Sequence, residues 1–212
     1  MTDQLQALLK DYQPQPLGEK RSYAVFLPLV WSDNQWQVLY EIRSESISQP
    51  GEVSFPGGWI DDGETAEEAA IREVIEELDI QQEQIELLGE IDYLVFGRST
   101  IRCFVGRLHL DWQTLQPNDE VARFFTVPLE TLLETAPVYY QLDSQIVPDC
   151  DFPFERLRGG VDYPFSHHKR FVPFYENLSE NIWGMTAQFT HRFTEIINQK
   201  TSPRWAKLKS SQ

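Results

Sequence analysis

At 212 residues, with 41% hydrophobic and 13% aromatic side chains, the chain has the length and apolar content of one large globular domain. Its 33 acidic against 18 basic residues leave a formal net charge of −15, which excludes a surface that holds a polyanion by releasing its counterions. Nucleic-acid polymers and anionic membranes are therefore not expected partners, whereas a small anionic molecule stays compatible, because a metal and a few local cations can reverse the field in one cleft.

The start, Met1-Thr2-Asp3-Gln4, has neither the basic nor the apolar part of a leader, and no run nears the roughly 18 apolar residues of a membrane span. The end, Ser210-Ser211-Gln212, matches no peroxisomal or retention signal. A soluble, cytoplasmic protein is expected. Tyr23 to Val30 and Trp36 to Ile42 read as a hairpin turned at Ser32-Asp33-Asn34. Glu52 to Phe55 is a short strand closed by the loop Pro56-Gly57-Gly58. Thr65 and Glu68 form a capping box that opens a helix running to Leu78. Ile85 to Phe96 and Ile101 to Leu110 read as two strands joined at Gly97 to Thr100, and Val127 to Glu134 as a short helix opened by Pro128. Residues 137 to 175 are aromatic and weakly periodic, as irregular strands and loops are. Asn181 to Asn198 is a second long helix, with Ile182, Met185, Phe189, Phe193 and Ile196 or Ile197 on its packing face. Cys103 and Cys150 lie in no metal or redox spacing and read as reduced thiols.

At about 100° per residue, Ala70, Ile71, Val74, Ile75 and Leu78 share one arc of the first helix. Glu73, Glu76 and Glu77 share another with Ala66 and Ala69, alanines that would leave room beside the acids. Like charges at i and i+4, near a helix C-terminus, oppose one another and the helix dipole. A cation would relieve both costs, and a hard oxygen donor set suits Mg²⁺ or Mn²⁺ bound together with a phosphate.

The string Gly58-x5-Glu64-x7-Arg72-Glu73-Val74-x-Glu76-Glu77-x-Asp79-Ile80 resembles the Nudix box, with Asp79 in place of the usual glycine. That residue follows the helix, where a left-handed conformation is expected and Asp tolerates it. The resemblance implies a single Nudix domain over residues 1–212, with its core at about 22–198. The implied fold is α/β, a mixed β-sheet sandwiched between helices (α/β/α). It also implies Glu73, Glu76 and Glu77 as metal ligands, with the Gly58 carbonyl as a further one, and Glu73 as a helper in deprotonating water. Arg72 would orient Glu64 or Glu73 rather than touch substrate.

Ile42-Arg43-Ser44 and Pro50 to Gly58 are similar to the added signature of the coenzyme A pyrophosphatases of that family, as are Gly89 to Leu94, Asn118 to Val121, Val127 to Leu129 and Ile182 to Ala187. This likeness implies a small-molecule nucleotide substrate, coenzyme A or a derivative, cut to phosphopantetheine (or its acyl form) and adenosine 3′,5′-bisphosphate. Arg43, Ser44, Gly57 and Gly58 are the substrate-binding candidates, Arg43 because its planar fork suits a phosphate. The signature usually carries a second basic residue where this chain has Glu45 to Pro50. The run His167-His168-Lys169-Arg170 either meets a 3′-phosphate or forms a solvated hairpin tip. Glu120 is a candidate general base or an exposed loop carboxylate, and Trp183 either core or a stacking surface. An ADP-ribose or NADH pyrophosphatase is the nearest alternative. A non-catalytic ligand-sensing module of the family is a second, against which the presence of Glu64, Glu73, Glu76 and Glu77 argues. A homodimer stays open.

Overall fold

A computed structural model of the chain describes residues 2–10, 12, 21–143, 150–165 and 169–201. The histidines of the basic run, His167 and His168, lie outside the described residues. In chain order the elements are α1 (Thr2–Lys10), β1 (Arg21–Ser32), β2 (Gln35–Arg43), β3 (Val53–Ser54), β4 (Gly57–Trp59), α2 (Ala66–Leu78), β5 (Ile85–Glu90), β6 (Leu94–Phe96), β7 (Ser99–Leu108), β8 (Val121–Pro128), α3 (Leu129–Glu134), β9 (Val138–Asp143), β10 (Lys169–Tyr175), β11 (Ile182–Trp183) and α4 (Gly184–Thr201). None of the described helices is long and apolar enough to cross a membrane.

The chain divides into two compact units, the first made of Met1–Val30 and Phe55–Gln116, the second of Trp31–Ser54 and Pro117–Gln212. In the first unit β1 runs parallel to β7, from Arg21 beside Ser99 to Leu29 beside Arg107, and antiparallel to β4; β5 and β6 pair antiparallel with β7. This is the mixed sheet expected of an α/β chain, and α2 packs against its β4 and β7. Ala24, Val25, Phe26, Leu27, Val74, Leu78, Cys103 and Val105 are buried in the core. Burial pushes the Cys103 thiol well above its ordinary range, so it stays protonated and inert; Cys150 is exposed, and neither is in a disulfide.

In the second unit β2 pairs antiparallel with β3 and β8, and a separate sheet has the order β11-β10-β9. Helix α4 packs against β10, β11 and α3. All six residues of β9 are exposed, and among the described residues it pairs with β10 alone. The turn at Asp33 and Asn34 has φ of 53° and 60°, the left-handed pair that suits a two-residue hairpin turn.

Several elements depart from the expectations. The glycine loop after Phe55 is in part a strand, β4, whose residues Gly57 and Gly58 pair with Val25 and Ala24. The strand read as Ile85 to Phe96 is two, β5 and β6, and β5 is itself bulged: its pairing with β7 slips between Leu87 and Gly89, where Gly89 takes φ 150° and Leu88 is exposed. Strand β8 was hidden by two consecutive exposed residues, Ala122 and Arg123, which spoil its alternation. Helix α4 starts at Gly184 because Ile182 and Trp183 pair with Tyr175 and Phe174. Its buried face carries Thr186, Thr190 and Thr194 beside Ala187, Phe189 and Phe193, whereas Met185 is 41% exposed. The threonines can enter the core because each hydroxyl finds a backbone carbonyl: Thr186 that of Val53, Thr190 that of Thr186, Thr194 that of His191.

Candidate active site

Helix α2 is held at both ends by its own sequence. Thr65 Oγ1 accepts from the Glu68 backbone N–H at 3.2 Å, while the Glu68 carboxylate accepts from the Thr65 N–H at 2.8 Å. At the other end Asp79 adopts φ 51°, ψ 51°, the left-handed cap that its position after the helix required, and its N–H reaches the Ile75 carbonyl. The hydrogen bonds from Thr65 hold the Glu68 carboxyl below its ordinary range. A group whose pKa is lowered on folding stabilises above its unfolded value and ceases to as pH falls through the folded one. The deficit of Glu68→Ala in urea midpoint, present at pH 7, should therefore narrow as the pH drops below about 4. A deficit that does not change with pH would contradict this.

Arg72 is the hub of the acidic face. Its Nε and Nη2 fork the Glu64 carboxylate at 2.9 and 3.2 Å, and Nη2 also reaches the Trp59 carbonyl at 3.0 Å. Its Nη1 lies 2.8 Å from Glu73 Oε1 and 3.0 Å from Glu76 Oε2. Hydrogen bonding to Arg72 holds the Glu64 carboxyl below its ordinary range, and the guanidinium is pushed up in return, so both stay ionised at neutral pH.

The other two acids meet the backbone of β4. Glu77 is only 4% exposed and its Oε2 accepts from the Gly57 N–H at 2.9 Å. Glu73 lies against the Cα of Gly58: a β-carbon there would come within 2.2 Å of its Oε1. The buried stripe of α2 is thus Ala66, Ala69, Ala70, Val74, Glu77 and Leu78, with Ile71 and Ile75 partly exposed. This corrects the expected arc: Ala69 is fully buried in a helix that packs on β4, so the alanines do not leave room beside the acids.

Among the described residues no three His, Cys, Asp or Glu side chains converge as a ready metal cluster. The physical reason is visible: Arg72 draws in Glu73 and Glu76, while Gly57 takes an oxygen of Glu77. The donors nevertheless suit a hard divalent cation, since all are oxygens, and Glu73 and Glu76 already share one cationic nitrogen.

Arg43, Ser44 and Glu120 belong to the second unit. Arg43 Nε donates to the Ser48 carbonyl at 2.8 Å, which shapes the loop that follows β2. Ser44 is 8% exposed, and its hydroxyl donates to the Asp119 carbonyl. Glu120 is exposed, at the edge of β8. Trp183 stacks on Phe174 with ring centroids 5.3 Å apart, and its Nε1 donates to Glu52. Residue typing missed Ser46 and the Trp59 carbonyl, and it took Asn118 only as part of the similar segment Asn118 to Val121. An Asn two residues before Glu120 is a signal that could have found the Asx turn in which Asn118 Oδ1 accepts from the Glu120 N–H at 2.9 Å.

A family model described as the NUDIX domain matches residues 20–150. The peroxisomal coenzyme A diphosphatase NUDT7 of Mus musculus is 36% identical over 150 residues, 66% of this chain and 62% of that protein. The Uncharacterized Nudix hydrolase NudL of Enterobacter sp. (strain 638) is 30% identical over 196 residues, 91% of each chain. The crystal structure of a MutT/nudix family protein from Enterococcus faecalis shares the fold, with a TM-score of 0.50 over 96% of this chain and 72% of that one, at 13% identity.

Proposed function

Because this chain belongs to the Nudix family, we propose that it hydrolyses the diphosphate of coenzyme A or a derivative, releasing phosphopantetheine or its acyl form and adenosine 3′,5′-bisphosphate. The observation that carries the chemistry is the Arg72 hub, which gathers Glu64, Glu73 and Glu76 beside a Glu77 fixed to Gly57. What supports the substrate is the run Arg43-Ser44 and Pro50 to Gly58, together with the similarity to the mouse coenzyme A diphosphatase. The reading treats residues 22–198 as one domain, since the matched span draws on both units.

In this proposal Glu73, Glu76 and Glu77, with the Gly58 carbonyl, hold Mg²⁺ or Mn²⁺, which when bound neutralises charge on the diphosphate and acidifies a water. Arg72 and Glu64 act on the acids rather than on substrate: the fork between them sets the height of the guanidinium and hence of Glu73. Glu73 or Glu120 takes the proton of the water whose oxygen attacks phosphorus, as the bridging P–O bond breaks. Gly58 leaves the backbone beside the Glu73 carboxylate bare of a side chain, Gly57 lends its N–H to Glu77, and Arg43 offers its guanidinium to a phosphate.

A second reading, an ADP-ribose or NADH pyrophosphatase, is favoured by two observations: Arg43 is engaged with Ser48, and the loop from Glu45 to Pro50 carries no basic residue. The purified chain with Mg²⁺ or Mn²⁺ should turn over coenzyme A with a kcat/KM at least about tenfold above those for its 3′-dephospho form, ADP-ribose and NADH. No phosphopantetheine from coenzyme A, alongside brisk cleavage of ADP-ribose, would sink the assignment.

A further inference from the structure

We propose that Ser44 and Ser46 are positioning residues that fasten the Glu120 loop by the Asp119 carbonyl, a role that rests on the reading of Glu120 as general base. Ser44 Oγ donates to Asp119 O at 2.5 Å and Ser46 Oγ at 2.6 Å, and the two hydroxyls are 2.7 Å apart. One carbonyl, with two lone pairs, thus receives both donors. The Ser44 N–H adds a bond to the Glu120 carbonyl at 2.8 Å.

From the other side Asn118 Oδ1 accepts from the N–H of Glu120 at 2.9 Å and of Val121 at 2.8 Å, and the Asn118 N–H donates to the Val121 carbonyl at 2.9 Å. Every backbone polar group from the Asp119 carbonyl to the Val121 carbonyl is therefore bonded, in a stretch that the sequence presents as a polar surface loop. Such loops ordinarily leave these groups to water. Here the bonds fix the Cα of an exposed carboxylate, and a base has to be held within a fraction of an ångström of its working place to be effective. Serine fits for a physical reason. Position 44 is 8% exposed just past the end of β2, and alanine there would take from the Asp119 carbonyl one of its two hydroxyl donors.

The test has a readout without turnover. In the full chain, free of metal, Ser44→Ala combined with Ser46→Ala should speed hydrogen exchange at the amides of Asn118, Glu120 and Val121 by about tenfold or more, the worth of one to two hydrogen bonds. In turnover, Ser44→Ala should lower kcat about tenfold and leave KM within about twofold, and Ser44→Thr, which keeps the hydroxyl, should recover most of the loss. On a Glu120→Gln background, itself reduced about a hundredfold, Ser44→Ala should cost less than about twofold more, because it acts through the same residue. Unchanged exchange in the double serine variant, or losses from Ser44→Ala and Glu120→Gln that add in full, would overturn the proposal. Undiminished kcat in Glu120→Gln overturns the base assignment and with it the catalytic consequence; the exchange rates tell that failure from a failure of the clamp.

Discussion

Glu77→Gln should lose at least about a hundredfold in kcat while melting cooperatively close to the wild type. Glutamine keeps the shape of the side chain and an oxygen that can still accept from the Gly57 N–H, so the 4%-exposed position stays filled and bonded. What it removes is the negative charge, which a hard divalent cation requires of its ligands. Rates over a titration of Mn²⁺, with a thermal melt of the same preparation, separate the two effects. Turnover that survives the substitution would remove Glu77 from the ligand set. No turnover in the wild type, together with a ligand affinity little changed by the substitution, would instead point to the non-catalytic module.

The second large effect comes from two adjacent glycines that answer to different neighbours. A β-carbon at Gly57 would sit 2.6 Å from the Ala24 carbonyl oxygen and 2.7 Å from Val25 Cα, both backbone atoms of β1 that cannot turn aside. Gly57→Ala should therefore destabilise by about 2 to 3 kcal/mol, at the upper end of overpacking costs, seen as a lower denaturant midpoint at unchanged slope. At Gly58 the obstacle is the carboxylate of Glu73, 2.2 Å away, the far end of a flexible side chain. Gly58→Ala should thus melt within about 1 kcal/mol of wild type yet lose most of its turnover, because Glu73 has to swing off its place beside Arg72. Equal stability losses in both variants would show that the Glu73 carboxylate is not what meets Gly58.

The contrast explains what was legible in the sequence. Helix α2 could be read almost to the residue, since its capping box, its left-handed Asp79 and the spacing of its acids are local properties. The orientation of that helix was read one residue askew. Glu77 is buried because a backbone N–H 20 residues earlier, at Gly57, satisfies it, and no periodicity reports a partner of that kind. The same holds for α4, where threonine hydroxyls bonded to carbonyls occupy places that hydropathy assigned to Met185. Arg43 and Ser44 were legible as a motif, but their loop-holding bonds to Ser48 and Asp119 depend on chain pairs that only folding brings together.

Strand β9 bears on how the protein behaves in bulk. Its six residues, Val138 to Asp143, lie open to solvent along an edge whose one charge is at its end, and they include two tyrosines, a valine and a leucine. Edges of that make invite a like strand to pair with them. What opposes such contact between copies is the net charge of −15, a repulsion that works at a distance and that salt shortens to about 8 Å at physiological ionic strength. The acidity that helix α2 gathers locally also serves as colloidal protection for the whole chain, and it fades as the medium is acidified toward the pI near 4.6.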